Sequence, residues 1–291
     1  MTLICDTNIL VLGTGFISNQ IAFHFRSDEG AEVKVVPYRE IHKLSHTDLN
    51  TKVWDVVIVG GLTRHLDNTA RAVDYNLKQL GAFLEIMTGR NIVRSIVFFS
   101  STDVYVVEQG DPRSLHESSP VTARDSYSES KLLSEEMLSS WAYLEKIPEI
   151  NLRIPGVYGD MINRRSALDK MIYDATSHSV VWLENGGHMY RSYIFVKDIL
   201  FWLQLYLKSR DDLGVLNLCP ISRPIYCFAT DIAQVLPGVL IQNSYQANLD
   251  RNFHQKFSTK KMYSFFPDMH FTNFLVGLRQ ITVSKANEND Q

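Results

Sequence analysis

Tyr127-Ser128-Glu129-Ser130-Lys131 places a phenol and an ammonium four residues apart, a spacing that brings them onto one face if the segment is helical. A free phenol titrates near about 10, so it can exchange a proton at neutral pH only where a neighbouring positive charge favours the phenolate. Lys131 is placed to supply that charge, although ordinary amphipathic helix faces carry the same pair. Ser100-Ser101-Thr102-Asp103-Val104-Tyr105 directly follows the apolar run Ile96 to Phe99. Hydroxyls at the C-terminal end of a strand can hold a substrate hydroxyl or carbonyl; a polar cap on a buried strand is the plainer alternative. The turn Gly13-Thr14-Gly15-Phe16-Ile17-Ser18 lies between an apolar run and an amphipathic segment. Glycines there let backbone approach a pyrophosphate at a positive helix N-terminus, or simply make a tight connection. Ser18 stands where the usual fingerprint has its third glycine.

These groups need a scaffold, and the chain spells one out by alternation. Ile9 to Leu12 is a fully apolar run, Phe16 to Phe25 reads as a helix, and Glu32 to Tyr38 is a second β-rich run, which makes a βαβ opening. Val56 to Val59, a helix through Val73, Leu77, Leu80, Leu84 and Met87, the strand Ile96 to Phe99, the helix after Tyr127 and the strand Asn151 to Ile154 continue it. Near-continuous apolar strands separated by helices predict an α/β fold of Rossmann type, a doubly wound parallel sheet covered on both faces. After Pro155 the pattern turns irregular until an apolar helix from Asp198 to Leu207 and a strand around Val215 to Leu218. The expected division is a dinucleotide-binding domain over 1–155 with 191–218, a smaller, discontinuous C-terminal substrate lobe over 156–190 with 219–284, and a polar, frayed tail over 285–291.

The three chemical features occur in one order, each at a strand end or in the helix that follows. With Val59-Gly60-Gly61, Asn76, Leu152-Arg-Ile-Pro-Gly-Val-Tyr-Gly159 and Arg191-Ser-Tyr-Ile-Phe-Val-Lys-Asp198 added, the chain resembles the extended short-chain dehydrogenase/reductases, the family of nucleotide-sugar epimerases, dehydratases and reductases. The resemblance runs from about Ile9 to about Ile281. It implies that Ser101 orients the reacting oxygen with Thr102 in reserve, that Tyr127 exchanges its proton, and that Lys131 lowers the tyrosine pKa while holding the nicotinamide ribose. Gly13, Gly15, Phe16, Ile17, Gly60 and Gly61 would then contact the dinucleotide. Arg191 would grip the substrate diphosphate with its planar guanidinium, with Asp103 also lining the substrate, although Ser192 follows Arg191 where the family usually has an acid.

NAD-specific relatives place a carboxylate at the end of the second strand to bond the ribose 2′-hydroxyl. Here that end reads Val36-Pro37-Tyr38-Arg39, and Arg39 can pair with a 2′-phosphate. NADP is therefore the expected cofactor and NAD the alternative, with Glu40 arguing for the latter. Dehydratases of the family follow the catalytic hydroxyl with Asp-Glu, against Thr102-Asp103 here. Epimerising reductases carry a cysteine beside the serine and a histidine after the Tyr-Gly strand end, and neither occurs at Thr102 or in Asp160 to Arg165. The expected reaction is reduction of a 4-keto nucleotide sugar, with a 4-epimerase, a 4,6-dehydratase and a non-catalytic dinucleotide sensor as alternatives.

With 291 residues, 45% of them hydrophobic, the chain can bury a sizeable core. Its net charge of -3, with scattered Lys and Arg, provides no broad field for nucleic acid or anionic membrane. Cys5, Cys219 and Cys227 form neither a disulfide framework nor a zinc pattern. His42 and His46 lack a nearby third ligand, so no metal is expected. The first apolar run follows Asp6 and Asn8 and ends at a glycine turn, as a strand rather than a signal peptide does. A cytoplasmic enzyme, forming a homodimer, completes the expectation.

Overall fold

A computed structural model describes residues 7–27, 31–44, 46–49, 52–61, 66–107, 113–159, 166–244 and 254–289, with the side chains of 46, 48 and 282–289 outside the description. Cys5, the imidazole of His46 and the segment Asp160 to Arg165 accordingly lie outside the described residues.

The first half of the chain alternates as its pattern predicts. Strand β1 (Thr7–Leu12) leads into α1 (Phe16–Arg26), then β2 (Ala31–Val36), a 3₁₀ turn over Tyr38–Lys43 and the short α2 (His46–Leu49). Next come β3 (Val56–Val59), α3 (Ala70–Met87), β4 (Ile96–Ser101), α4 (Ser126–Glu145) and β5 (Glu149–Ile154). The second half contributes β6 (Gly156–Tyr158), α5 (Ala167–His178), β7 (Val180–Glu184), β8 (Tyr190–Arg191), β9 (Tyr193–Phe195), α6 (Val196–Ser209) and β10 (Gly214–Asn217). The chain closes with β11 (Arg223–Pro224), α7 (Ile225–Val235), β12 (Leu240–Ser244), α8 (Lys260–Phe265) and α9 (Phe274–Asn289).

Six strands make one parallel sheet in the order β10-β5-β4-β3-β1-β2. The period-two pleat divides their side chains between two cores. Ile9, Val11, Val56, Ile58, Val97 and Phe99 pack under α1 and α6, against Ile21, Phe25, Trp202 and Leu203. Leu10, Leu12, Val57, Val59, Ile96 and Phe98 pack on the opposite side under α3 and α4, against Leu80, Phe83, Leu138 and Trp141. Both faces are thus covered, which is why β1 and β3 are apolar at nearly every position. The chain leaves β1 toward β2 on one side and later returns to β3 on the other, so the order reverses between β1 and β3. A crevice for a ligand opens at such a switch point, beyond the C-terminal strand ends.

Three departures from the sequence pattern stand out. Among the described residues β2 is an edge strand, and it ends at Val36 instead of Tyr38 because Pro37 turns the chain into the 3₁₀ segment. β5 begins at Glu149, and it is not uniformly apolar: Glu149, Asn151 and Arg153 alternate with Ile150, Leu152 and Ile154, yet all six are buried. Helix α9 reaches Asn289, into the segment expected to fray.

The segments after Pro155 form three two-stranded pairs, β6 with β9, β7 with β12 and β8 with β11. Tyr158, Leu168, Ile172, Val181, Phe195, Phe228, Ile232, Phe274 and Leu278 make a third core among them. Met262 and Phe266, from α8 and its end, instead join the core under α1 and α6.

Candidate active site

The glycine turn occupies the switch point. Gly13 N–H donates to Val36 O (2.8 Å) and Gly60 N–H to Leu12 O (3.0 Å), tying the ends of β2, β1 and β3 together. Gly13 has φ +125° and Gly61 φ +143°, a region that L side chains rarely enter. Gly15 is ordinary in φ, but a β-carbon built there would meet no atom of the described residues within 4 Å. Among the described residues the space over the N-terminus of α1 is therefore open and no side chain caps that end, and its first turn carries no acid. Those are the conditions under which backbone N–H groups and the helix dipole receive a phosphate. Ser18 is buried where the third glycine was expected, with Oγ 3.4 Å from a β-carbon built on Gly13 and 4.0 Å from one on Gly60. Its small side chain preserves the close helix packing. Phe16 points away from the turn, into the third core, and a β-carbon on Gly159 would lie 2.7 Å from its ring. Ile17 packs on the core under α1.

The tyrosine and lysine ride on α4, whose start is fixed by a capping box. Asp125 Oδ1 accepts from Ser128 N–H (2.8 Å) while Ser128 Oγ accepts from Asp125 N–H (3.1 Å). Tyr127 N–H donates to Asn68 Oδ1 at 2.9 Å. One turn on, Lys131 Nζ donates to the Phe99 carbonyl (2.6 Å) and lies 4.7 Å from the Phe98 ring centroid and 5.8 Å from that of Tyr127. A β-carbon on Gly61 would come within 3.8 Å of the same nitrogen. Lys131 thus joins α4 to the ends of β3 and β4. Burial lowers its pKa to about 8, against an opposing upward pull from Glu135.

Ser101 ends β4, and its Oγ accepts from Asp103 N–H at 3.1 Å, which leaves the hydroxyl hydrogen to donate. Thr102 is buried in the following 3₁₀ turn. Arg124 donates from Nη2 to the Asp103 carbonyl at 2.9 Å. Arg191 belongs to this neighbourhood: burial lowers its pKa, while Tyr193 and Asp103 raise it and Arg124 lowers it further. Its Nη1 donates to Tyr190 O at 2.8 Å, and β8 is held by β11 through the Arg191 and Arg223 pairing. Lys131 of α4 is thus held against the end of β4 with the Tyr127 ring 5.8 Å from its nitrogen, Ser101 ends that strand, and Asp103 lies within electrostatic reach of Arg191. Arg39 stands apart, beyond β2. Its side chain is 81% exposed, with Nε 3.7 Å from Glu40 Oε1.

Glu135, which sequence reasoning did not single out, and Arg153, Ser100 and Asn76, which it named only within motifs, lie around the candidate site. Arg153 Nε and Nη2 donate to Glu135 Oε1 (3.0 Å) and Oε2 (2.7 Å), and Ser100 Oγ also donates to Oε1. Asn76 Nδ2 donates to Ser130 Oγ at 2.8 Å, joining α3 to α4. Glu135 repeats the four-residue step from Tyr127 to Lys131, a signal that the sequence did carry. His42 lies in the 3₁₀ turn, with Nδ1 3.4 Å from Gln79 Nε2, and so does not share a helix with His46. Among the described residues no helix is long and apolar enough to cross a membrane.

An open, uncapped helix N-terminus at a sheet switch point, with a buried lysine under a tyrosine at the neighbouring strand ends, defines a dinucleotide-binding enzyme of the parallel α/β class. The chain belongs to the NAD dependent epimerase/dehydratase family, whose model matches residues 10–219. Its folding neighbours are extended short-chain dehydrogenase/reductases, as the motifs implied. Protein CapI of Staphylococcus aureus is 24% identical over 180 residues, covering 61% of this chain and 53% of CapI, so the chain spans about half the length of that relative. A UDP-N-acetylglucosamine 4-epimerase from Methanobrevibacter ruminantium M1, in complex with UDP-N-acetylmuramic acid, superimposes with a TM-score of 0.81 at 19% identity, covering 97% of this chain and 100% of that one. RMD from Pseudomonas aeruginosa, complexed with NADPH, gives 0.77 at 17% identity, covering 94% and 97%. At these identities the structural likeness establishes the fold.

Proposed function

We propose that this chain reduces the 4-keto carbon of a nucleotide sugar, with NADP(H) as the hydride carrier. The observation that supports this reading best is Lys131 buried against the end of β4, the strand that Ser101 terminates, with the Tyr127 ring beside it and no Asp-Glu pair after the serine. Gly13, Gly15, Phe16 and Ile17 offer the turn and first helical residues to the pyrophosphate, and Gly60 and Gly61 line its other side. Lys131 would hold the nicotinamide ribose, and Arg39, exposed past β2, would meet a 2′-phosphate.

Bound there, a reduced nicotinamide supplies a hydride to a carbonyl carbon. The chain's own groups do the remaining work. Ser101 donates a hydrogen bond to the carbonyl oxygen, and Tyr127 gives that oxygen its proton, so that ketone, hydride and proton sum to an alcohol. Lys131 stabilises the phenolate left behind until solvent reprotonates it. Arg191 grips the diphosphate, with Thr102 and Asp103 at the sugar. The buried alcohol of Thr102 lacks the acidity that dehydration needs at this position.

Two measurements test the proposal together: mass spectrometry of any ligand that copurifies, and loss of reduced-nicotinamide absorbance on adding a 4-keto nucleotide sugar. NADPH consumption with formation of the alcohol is the expected outcome. A retained NAD, with interconversion of sugar epimers and no net consumption of added cofactor, would replace it with the epimerase reading.

A further inference from the structure

Tyr127, Lys131 and Glu135 follow one another at four-residue steps and share a face of α4. Lys131 and Glu135 are both buried, at 6% and 7% exposure, and opposite charges at this spacing commonly pair. Here they take other partners. Lys131 Nζ donates to the Phe99 carbonyl at 2.6 Å, while both oxygens of Glu135 are engaged from the far side by Arg153, at 3.0 and 2.7 Å, and one of them also by Ser100 Oγ. The carboxylate is thus anchored to β4 and β5, one turn behind the ammonium.

We propose that Glu135 is a positioning residue whose carboxylate, fixed by Arg153 and Ser100, is the counter-charge that keeps the Lys131 ammonium protonated for Tyr127 and the cofactor. The proposal rests on the reading of Lys131 given above. Among the described residues, the other groups recorded against Lys131 supply no second anion: α4 offers Tyr127, β4 the Phe98 ring and Phe99 carbonyl, and the end of β3 Gly61. Asn76 of α3 is neutral and bonded to Ser130, and Arg153 of β5 is spent on Glu135. Burial alone would push the ammonium toward its neutral form, and Glu135 opposes that push.

The test reads Lys131 directly. In the full chain labelled with ¹³C at lysine Cε, the Lys131 resonance is assigned by its loss in Lys131→Met, and its titration midpoint is measured without cofactor. Glu135→Gln is expected to lower that midpoint by on the order of one pH unit, whereas Glu135→Asp, which retains the charge, stays nearer the native value. In parallel, NADPH affinity of Glu135→Gln should fall several-fold near about pH 8 and approach the native value near about pH 6, where Lys131 is charged in both. An unchanged midpoint in folded Glu135→Gln, or equal shifts in the Gln and Asp variants, overturns the proposal. Should Glu135→Gln fail to fold, the double substitution Glu135→Gln with Arg153→Met removes both members of the buried pair, which proteins tolerate better. Because losing the Arg153 cation offsets part of the lost negative charge, a smaller fall is expected there, and a midpoint at or above the native one overturns the proposal. A moved midpoint in a protein that does not bind NADPH would sink the dinucleotide reading alone.

Discussion

Tyr127 and Lys131 differ in what their loss should do, because in the proposed reading only the lysine would serve both the proton and the cofactor. Tyr127→Phe removes the proton donor and little contact surface, so turnover should drop at least about a thousand-fold, while NADPH affinity stays within a few-fold. Stopped-flow turnover and a binding titration check the two halves, and near-native turnover would remove Tyr127 from the chemistry. The same pair sets a pH dependence. Burial lowers the pKa of Lys131 to about 8, and the ammonium is the form that supports the phenolate. The charged lysine therefore dominates below that value and disappears as pH rises through it, so kcat should decline on the alkaline side near pH 8 and hold through neutrality. A kcat profile flat to well above pH 9, the region of an unperturbed lysine, would contradict this. The candidate tyrosine, lysine and serine could be picked out from the sequence because each lies in a local motif. Glu135 repeats the helical step, but its partner Arg153 comes from another strand, so their pairing is a tertiary fact.

Elements carry the candidate site only if their ends stay registered, and one buried carboxylate, Asp55, ties several together at the opposite end of the sheet. Asp55 accepts from Asn8 N–H (2.9 Å), Arg94 Nη1 (2.7 Å) and Arg210 Nη1 (2.9 Å), joining β1 to the approach to β4 and the end of α6. Arg94 is more than half exposed, which discounts its share. Asp55→Ala should still cost about 2–3 kcal/mol through the lost bonds and the stranded Arg210. Urea unfolding checks it, and a change below about 0.5 kcal/mol would show that the clamp is dispensable. Strand positions and their order of appearance were readable from apolar runs. The polar face of β5 was not: period-two alternation ordinarily marks a half-exposed strand, but α4 lies over Glu149, Asn151 and Arg153. Ser139 Oγ donates to Glu149 Oε1 (2.8 Å), Asn151 Nδ2 donates to Ser139 Oγ (2.9 Å), and Arg153 pairs with Glu135. The sheet edge at β2 was equally illegible, since strand pairing depends on partners distant in sequence.

At the scale of the molecule, two cores flank the sheet and a third lies among the segments after Pro155, and Phe16 runs from the glycine turn into that third core. A dinucleotide seated at the turn therefore engages structure that unfolding would destroy, and binding should register as global stability. Ligand at about 100 times its Kd stabilises the folded state by about 2.7 kcal/mol, which for a chain of this size corresponds to a rise in Tm of roughly 4–5 °C. NADPH should give that rise at a lower concentration than NADH, because Arg39 lies exposed just past β2 and a planar, permanently charged guanidinium fits a 2′-phosphate. Glu40, close enough to share a weak ion pair with Arg39, acts the other way by repelling that phosphate, so the advantage expected is about ten-fold in affinity rather than absolute, near 1.4 kcal/mol. Arg39→Ala should remove the NADPH advantage while leaving the NADH curve in place. Gly15→Val should remove both rises, since the open space above Gly15 would fill with side chain where phosphate must approach. Thermal unfolding followed by fluorescence, with each cofactor titrated against the native protein and the two variants, separates these cases. Superimposable NADPH and NADH curves in the native protein would refute the NADP preference, and an undiminished shift in folded Gly15→Val would move the dinucleotide away from the turn.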